Sequence, residues 1–115
     1  SELHFFKYKI NADASIEWKT INSNIKVNLY RIIQESIQNI VTHVKATNVL
    51  LTFKKETNVL SLTIKDNGIG FNVKQQKKGI GLKNIASRTK KLKGKFQIES
   101  TGNGTILKIK LPVSL

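Results

Sequence analysis

No cysteine occurs among the 115 residues, so disulfides play no part in holding this chain together. There is no initiator Met and no signal-peptide pattern, and the chain is expected to be a fragment of a longer protein, with residues 1–115 forming one domain. No apolar run approaches the length of a bilayer span, which points to a soluble piece. Repeats and low-complexity linkers are missing as well. Acidic residues are scarce: seven Asp and Glu stand against 20 Lys and Arg, a formal charge of +13. Such a balance invites a nucleic-acid or anionic-membrane reading. The cations, however, are scattered, with short doublets such as Lys54-Lys55, Lys77-Lys78 and Lys90-Lys91 and few aromatics between them. A generally basic solvated surface is therefore expected, with no nucleic-acid partner.

What is present is a globular composition, 39% hydrophobic and 23% charged, in a chain long enough for a two-layer core. Leu3–Ile10, with Phe5, Phe6 and Tyr8 among lysines, reads as an edge strand. Residues 11–24 are polar and irregular, with Ile16, Trp18 and Ile21 as anchors on the core and Asn22-Ser23-Asn24 as helix N-cap candidates. Leu29, Ile32, Ile33, Ile37, Ile40 and Val44 then recur at helical spacing, which predicts a long helix over roughly Ile25–Val44. Asn48–Lys54 and Val59–Lys65 alternate as a hairpin around Glu56-Thr57-Asn58. A second helix from Leu82 stops at Gly94, the expected place for a C-terminal glycine. Phe96 and Ile98 open a further strand, Thr101–Gly104 forms a tight turn, and Thr105–Leu111 is a last strand closed by Pro112. Helices on one face of a mixed, mostly antiparallel sheet make an α+β two-layer sandwich.

Within this frame, Asp66-Asn67-Gly68-Ile69-Gly70-Phe71 stands out. Leu60, Leu62 and Ile64 share one strand face, so Asp66 sits at the strand's C-terminal end, where a carboxylate is held rigidly. The two glycines let a backbone or ligand come close. Gly79-Ile80-Gly81-Leu82 repeats the spacing just before the second helix, where backbone N–H groups favour an anion. The polar, cationic segment Asn72–Lys78 between them reads as a mobile cover. Either glycine pair alone fits an ordinary strand-to-loop turn. On the first helix, Glu35, Asn39 and His43 form a polar stripe at four-residue spacing. Such a stripe suits a solvated face, or ligation of Mg²⁺ by the Asn39 amide oxygen together with phosphate oxygens and water.

Together these motifs resemble the ATP-binding catalytic domain of sensor histidine kinases, in the superfamily shared with gyrase, a heat-shock chaperone and a mismatch-repair ATPase. Leu29-Tyr30-Arg31-Ile32-Ile33-Gln34-Glu35-Ser36-Ile37-Gln38-Asn39 is similar to the asparagine-containing helix box of the nitrate- and lipid-fluidity-sensor subgroup. Asp66–Phe71 resembles the first glycine box, Gly79–Leu82 the second, and Gly104-Thr105 with Leu111-Pro112 the closing strand. The resemblance implies a Bergerat-type sandwich binding ATP and Mg²⁺. Asp66 would accept from the adenine amino group, Asn39 would ligate Mg²⁺, and Glu35 would orient a water or metal-bound group. Gly68 and Gly70 would admit the purine. Gly79, Gly81 and the helix start at Leu82 would cradle the phosphates, with Lys78 closing over them and His43 near them. Thr105 would support adenine, or serve simply as a β-branched strand residue.

Where the family often carries Lys three residues after the Asn, this chain has Thr42, leaving Lys45, Lys77 or Lys78 to supply the charge. Neither His4 nor His43 resembles the phosphoacceptor, which the resemblance puts on a separate upstream dimerisation domain. The implied partners are therefore those helices, in a homodimeric parent, and a response regulator. The implied location is the cytoplasmic side of a protein anchored in the bacterial inner membrane. The alternatives are a related serine kinase of the anti-sigma type, a degenerate kinase domain, or a basic nucleic-acid module, which leaves Asp66 and both glycine boxes unexplained.

Overall fold

Val59–Asp66 alternates buried residues with half-buried ones, Lys65 alone being exposed, as befits the middle strand of the sheet, with Leu60, Leu62, Ile64 and Asp66 all facing inward. The computed structural model describes residues 7–40, 46–68 and 82–113. Its elements are β1 (Lys7–Ala12), a 3-10 turn (Trp18–Thr20), α1 (Ser23–Asn39), β2 (Asn48–Glu56), β3 (Val59–Asp66), α2 (Leu82–Lys91), β4 (Lys95–Thr101) and β5 (Gly104–Pro112). The five strands run in the order β1-β2-β3-β5-β4, with β1 parallel to β2 and every other pairing antiparallel. The expected α+β sandwich with its mostly antiparallel sheet is therefore the fold, and β5 inserts between β3 and β4.

Leu51, Phe53, Leu62, Ile109 and Leu111 form the inner face of the sheet. Leu29, Ile32 and Ile40 from α1 and Leu82 and Ile85 from α2 close over it. Fully burying such a side chain stabilises the fold by about 1.5–3 kcal/mol. The loop anchors fall where expected: Ile16 and Ile21 are buried, and Trp18 meets the Phe53 ring edge-on at 5.1 Å. The edge strand β1 is exposed along its length and begins at Lys7, with residues 1–6 outside the described set.

Two boundaries differ from the expectations. Helix α1 starts at Ser23 because the Asn22 side chain accepts from the Asn24 N–H at 2.7 Å, capping it two residues early. Its described part ends with Ile40, and residues 41–45 lie outside. At the end of α2, Lys93 rather than Gly94 takes the left-handed position, with φ of 60°. The Lys93 N–H bonds Lys90 O and the Gly94 N–H bonds Thr89 O, both at 2.9 Å, which is a Schellman closure. Gly94 is needed for space instead, since a Cβ there would lie 2.6 Å from Lys110 O.

Candidate functional site

Two adjacent cross-strand rows build the floor of a cleft between the sheet and the helices. The apolar row is Ile64–Leu107–Ile98 and the polar row is Asp66–Thr105–Ser100, each set by the β3–β5–β4 register. Ser36, Asn39 and Ile40 from the end of α1 and Leu82 from the start of α2 supply the walls. The mainly apolar lining with a few oriented polar groups suits the edge of a planar ring.

Asp66 is only 5% exposed, and its Oδ1 accepts from the Gly68 N–H at 2.8 Å. Burial pushes its carboxyl above the ordinary carboxylate range, while N–H groups of Gly68 and Thr105 pull the other way. Thr105 is buried, with its hydroxyl 3.0 Å from Ser100 Oγ. The Ser36 hydroxyl is already committed to Ile32 O at 2.7 Å, so it shapes the wall without offering a free donor. No hydrogen bond is made by the Asn39 side chain among the described residues.

Asn67, inside the first glycine box, acts on the scaffold. Its Oδ1 accepts from the N–H groups of Thr47 and Asn48 at 2.9 and 2.8 Å, and its Nδ2 donates to Thr47 Oγ1 at 2.9 Å. This clamp fixes the end of β3 against the start of β2, directly beside Asp66.

The structure thus brings Asn39, Asp66, Leu82 and Thr105 to one cleft, with Gly68 beside it on Asp66. Glu35 is placed one turn back on α1, where its Oε1 is 3.6 Å from Arg88 Nε on α2, and its buried Oε2 has no hydrogen-bond partner among the described residues. His43, Gly70, Lys78, Gly79 and Gly81 lie outside the described residues, as do Thr42, Lys45 and Lys77. Sequence reasoning missed the apolar walls Ile40, Ile64, Ile98 and Leu107. The signal was there for Ile64, two residues before Asp66 on the same strand face. The other walls depend on which strand lies beside β3, which spacing alone does not reveal.

Among the described residues no group of three or more His, Cys, Asp or Glu could hold a metal ion. A Mg²⁺ that keeps phosphate oxygens and water as its main ligands needs no such group, and the uncommitted amide of Asn39 at the cleft wall fits it.

The pattern of the family described as "Histidine kinase-, DNA gyrase B-, and HSP90-like ATPase" matches residues 24–115. The chain is 33% identical over 93 residues to the signal transduction histidine-protein kinase/phosphatase DegS of Brevibacillus brevis, covering 79% of this chain and 24% of that protein. It is 36% identical over 101 residues to the sensor protein VraS of Staphylococcus saprophyticus, covering 86% and 29%. With the sensor histidine kinase LiaS of Bacillus subtilis the identity is 30% over 109 residues, covering 93% and 30%. The chain therefore spans less than a third of the length of these relatives. Among solved structures, the histidine kinase domain of the Erythrobacter litoralis EL346 blue-light activated kinase superposes with a TM-score of 0.78 at 19% identity, over 94% of this chain and 52% of that one. The ATP binding domain of PrrB from Mycobacterium tuberculosis gives 0.68 at 26% identity, over 77% and 69%. No described helix is long and apolar enough to cross a membrane.

Proposed function

We propose that this chain, which belongs to the histidine kinase-, DNA gyrase B- and HSP90-like ATPase family, binds Mg-ATP and donates its γ-phosphate to a histidine on a separate dimerisation domain of the same sensor kinase. The reading rests on one observation above the others: a buried carboxylate, Asp66, at the end of an otherwise apolar cleft. A carboxylate can accept about four hydrogen bonds, and two backbone N–H groups use only part of that capacity. What remains suits an amino donor on a planar ring, as adenine presents.

The residues divide the work. Ile64, Ile98 and Leu107 hold the ring and exclude water from it. Asp66 selects a donor at the ring edge, and Thr105 supports that edge. Asn39 would hold Mg²⁺, which when bound neutralises phosphate charge. Glu35, held on α1 toward Arg88 of α2, orients a water or metal-bound group with its Oε2. Gly70, Gly79, Gly81, Lys78 and His43 complete the phosphate side. Phosphoryl transfer is mostly positioning and charge stabilisation, so a domain that orients ATP but lacks the acceptor binds nucleotide and turns over little. The parent is read as a homodimeric, membrane-anchored kinase with this domain in the cytoplasm, passing the phosphoryl group on to a response-regulator aspartate.

Calorimetric titration with a non-hydrolysable ATP analogue, with and without Mg²⁺, tests the reading. Binding by the unmodified chain and a loss of about 30-fold or more in Asp66→Asn is expected, because the substituted amide puts a donor against a donor or leaves one unpaired. Equal affinity in the two proteins removes adenine from Asp66.

A further inference from the structure

Of the sixteen Lys and Arg among the described residues, seven share one surface of the fold, the open face of the sheet. Both helices cover the same side of the sheet, and the opposite side is left open. Register fixes which side chains share that open side, because paired residues on neighbouring strands point the same way. β1 contributes Lys7 and Lys9, paired with Asn48 and Leu50 of β2, which adds Lys54. β3 contributes Lys65, facing Leu50 on one flank and Ile106 of β5 on the other. β5 adds Lys108 and Lys110, and β4 adds Lys95 opposite Lys110. All seven are exposed. Among the described residues the carboxylates on this face are Glu56 and Glu99, with Asp13 at its edge beside Lys54, and the single ion pair is Glu35–Arg88, on the helix side. None of the seven ammonium groups is in an ion pair among the described residues, and they spread over a sheet roughly 20 Å across.

The residue types choose between partners. Protein interfaces are depleted of Lys and anchored by aromatics and Arg. Base readout uses Arg or Lys set at base edges in a groove, and single strands stack on aromatic rings. Among the described residues this face carries no Arg, its one aromatic neighbour is Tyr8 at the rim, and its apolar residues Leu50, Val59 and Ile106 are half-buried, with Pro112 exposed at one end. Lysines spread over a broad surface, on long stems that follow the sheet's twist, match the diffuse negative charge of a bilayer carrying anionic headgroups. At one end, Lys7, Lys9 and Lys65 border an open concavity that Tyr8, Asn48, Asp66 and Asn67 also line.

We propose that the open face of the sheet is a docking surface for an anionic phospholipid bilayer, held by Lys7, Lys9, Lys65, Lys108 and Lys110. The lysine rows face away from the nucleotide cleft, which lies on the helix side and meets this surface only at Asp66, and vesicle binding is read without nucleotide, so either reading can fail without the other.

The test is flotation of the 115-residue chain with vesicles of phosphatidylcholine alone or phosphatidylcholine mixed with phosphatidylglycerol. Partitioning onto the mixed vesicles, at least about tenfold above phosphatidylcholine and declining as salt is raised, is expected. Lys65→Glu/Lys108→Glu/Lys110→Glu should lower it by about tenfold or more, whereas Lys83→Glu/Lys90→Glu/Lys91→Glu on α2, with the same net charge, should change it by less than about threefold. Circular dichroism checks that each variant folds. If the sheet-face Glu variant does not, Lys65→Gln/Lys108→Gln/Lys110→Gln replaces it, with a smaller loss in the same direction. Equal losses from sheet and helix variants, or no preference for the anionic vesicles, overturns the proposal. So does tighter binding to an oligonucleotide than to the vesicles with the same dependence on Lys65, Lys108 and Lys110.

Discussion

A Cβ added at Gly104 would collide with the carbonyl oxygen of Asp66, across the β5–β3 ladder. Gly104 also has φ of +142°, a conformation that L side chains rarely adopt. The backbone beneath the key carboxylate is therefore shaped by the absence of a side chain three residues before Leu107. Gly104→Ala should cost about 2–4 kcal/mol in urea unfolding, from the clash and the strained φ together. Gly102→Ala, in the same turn, meets nothing within 4 Å and should shift stability by less than about 0.5 kcal/mol. Similar losses in the two variants would mean that the turn, not the contact with Asp66, sets the requirement.

The raised carboxyl of Asp66 gives opposite signs for binding and for folding. Burial favours the protonated form in the folded state, so the folded pKa lies above the unfolded value near 3.8. The stabilising contribution of the proton is fully present below that unfolded value and is lost as pH rises through the folded one. At pH 7 the ionised Asp66 is therefore a stability cost, and Asp66→Asn should leave the ligand-free domain at least as stable by urea unfolding. Nucleotide affinity runs the other way: it should weaken as pH falls toward the acid range, beginning above the ordinary Asp range, because protonation removes an acceptor. Titrations across pH 4.5–7.5, about the range of interest, check this, and a flat profile would show that Asp66 is not the group met by the ligand.

How much of this was legible in the sequence depends on the range of the interaction that decides it. Strand and helix periods, the Asn22 cap region, the inward Leu60-Leu62-Ile64 face and Asp66 at its end are local, and they could be read directly. The Ile64–Leu107–Ile98 row could not, because it requires β5 to insert between β3 and β4. The same limit hid the lysine face. Lys65, Lys108 and Lys110 look scattered in sequence and become neighbours only through register. Lys93 was overlooked for a different reason: Gly94 beside it carries the expected residue type for the left-handed position, yet the glycine is required by the approach of Lys110 O and Leu111.

That left-handed Lys93 is strain without a visible function, since its φ of 60° is costly for any residue with a Cβ. Lys93→Gly should stabilise the domain by about 0.5–1 kcal/mol, the steric relief exceeding the added flexibility of the unfolded chain. Thermal and urea unfolding measure it. Because α2 ends away from the cleft walls, nucleotide affinity should stay unchanged in the same variant.

Glu35 and Arg88 join α1 to α2, with 26% and 30% of their side chains exposed, so the attraction is partly screened by solvent. A double-mutant cycle with Glu35→Gln and Arg88→Gln should give a coupling of about 0.5–1 kcal/mol that shrinks as salt is added. Losing Arg88 alone should cost more than that coupling, because it leaves a carboxylate whose Oε2 already lacks a hydrogen-bond partner among the described residues. A coupling near zero would reduce the pair to packing of the two side chains.

Asn67 separates scaffold from ligand contact within one motif. Its three hydrogen bonds to Thr47 and Asn48 tie β3 to β2 beside Asp66, and Asn67→Ala strands two backbone N–H groups at once. A loss of about 2 kcal/mol is expected in urea unfolding. Asn67→Asp keeps both N–H bonds, and the Thr47 hydroxyl can turn to donate to the new oxygen, so it should cost about 1 kcal/mol or less. If Asn67 acts only through the scaffold, nucleotide affinity should follow stability in the two variants, weaker in Ala and nearly retained in Asp. Affinity lost in Asp at preserved stability would instead put the Asn67 amide against the ligand, since only the exchange of NH₂ for a charged oxygen would then distinguish the two proteins.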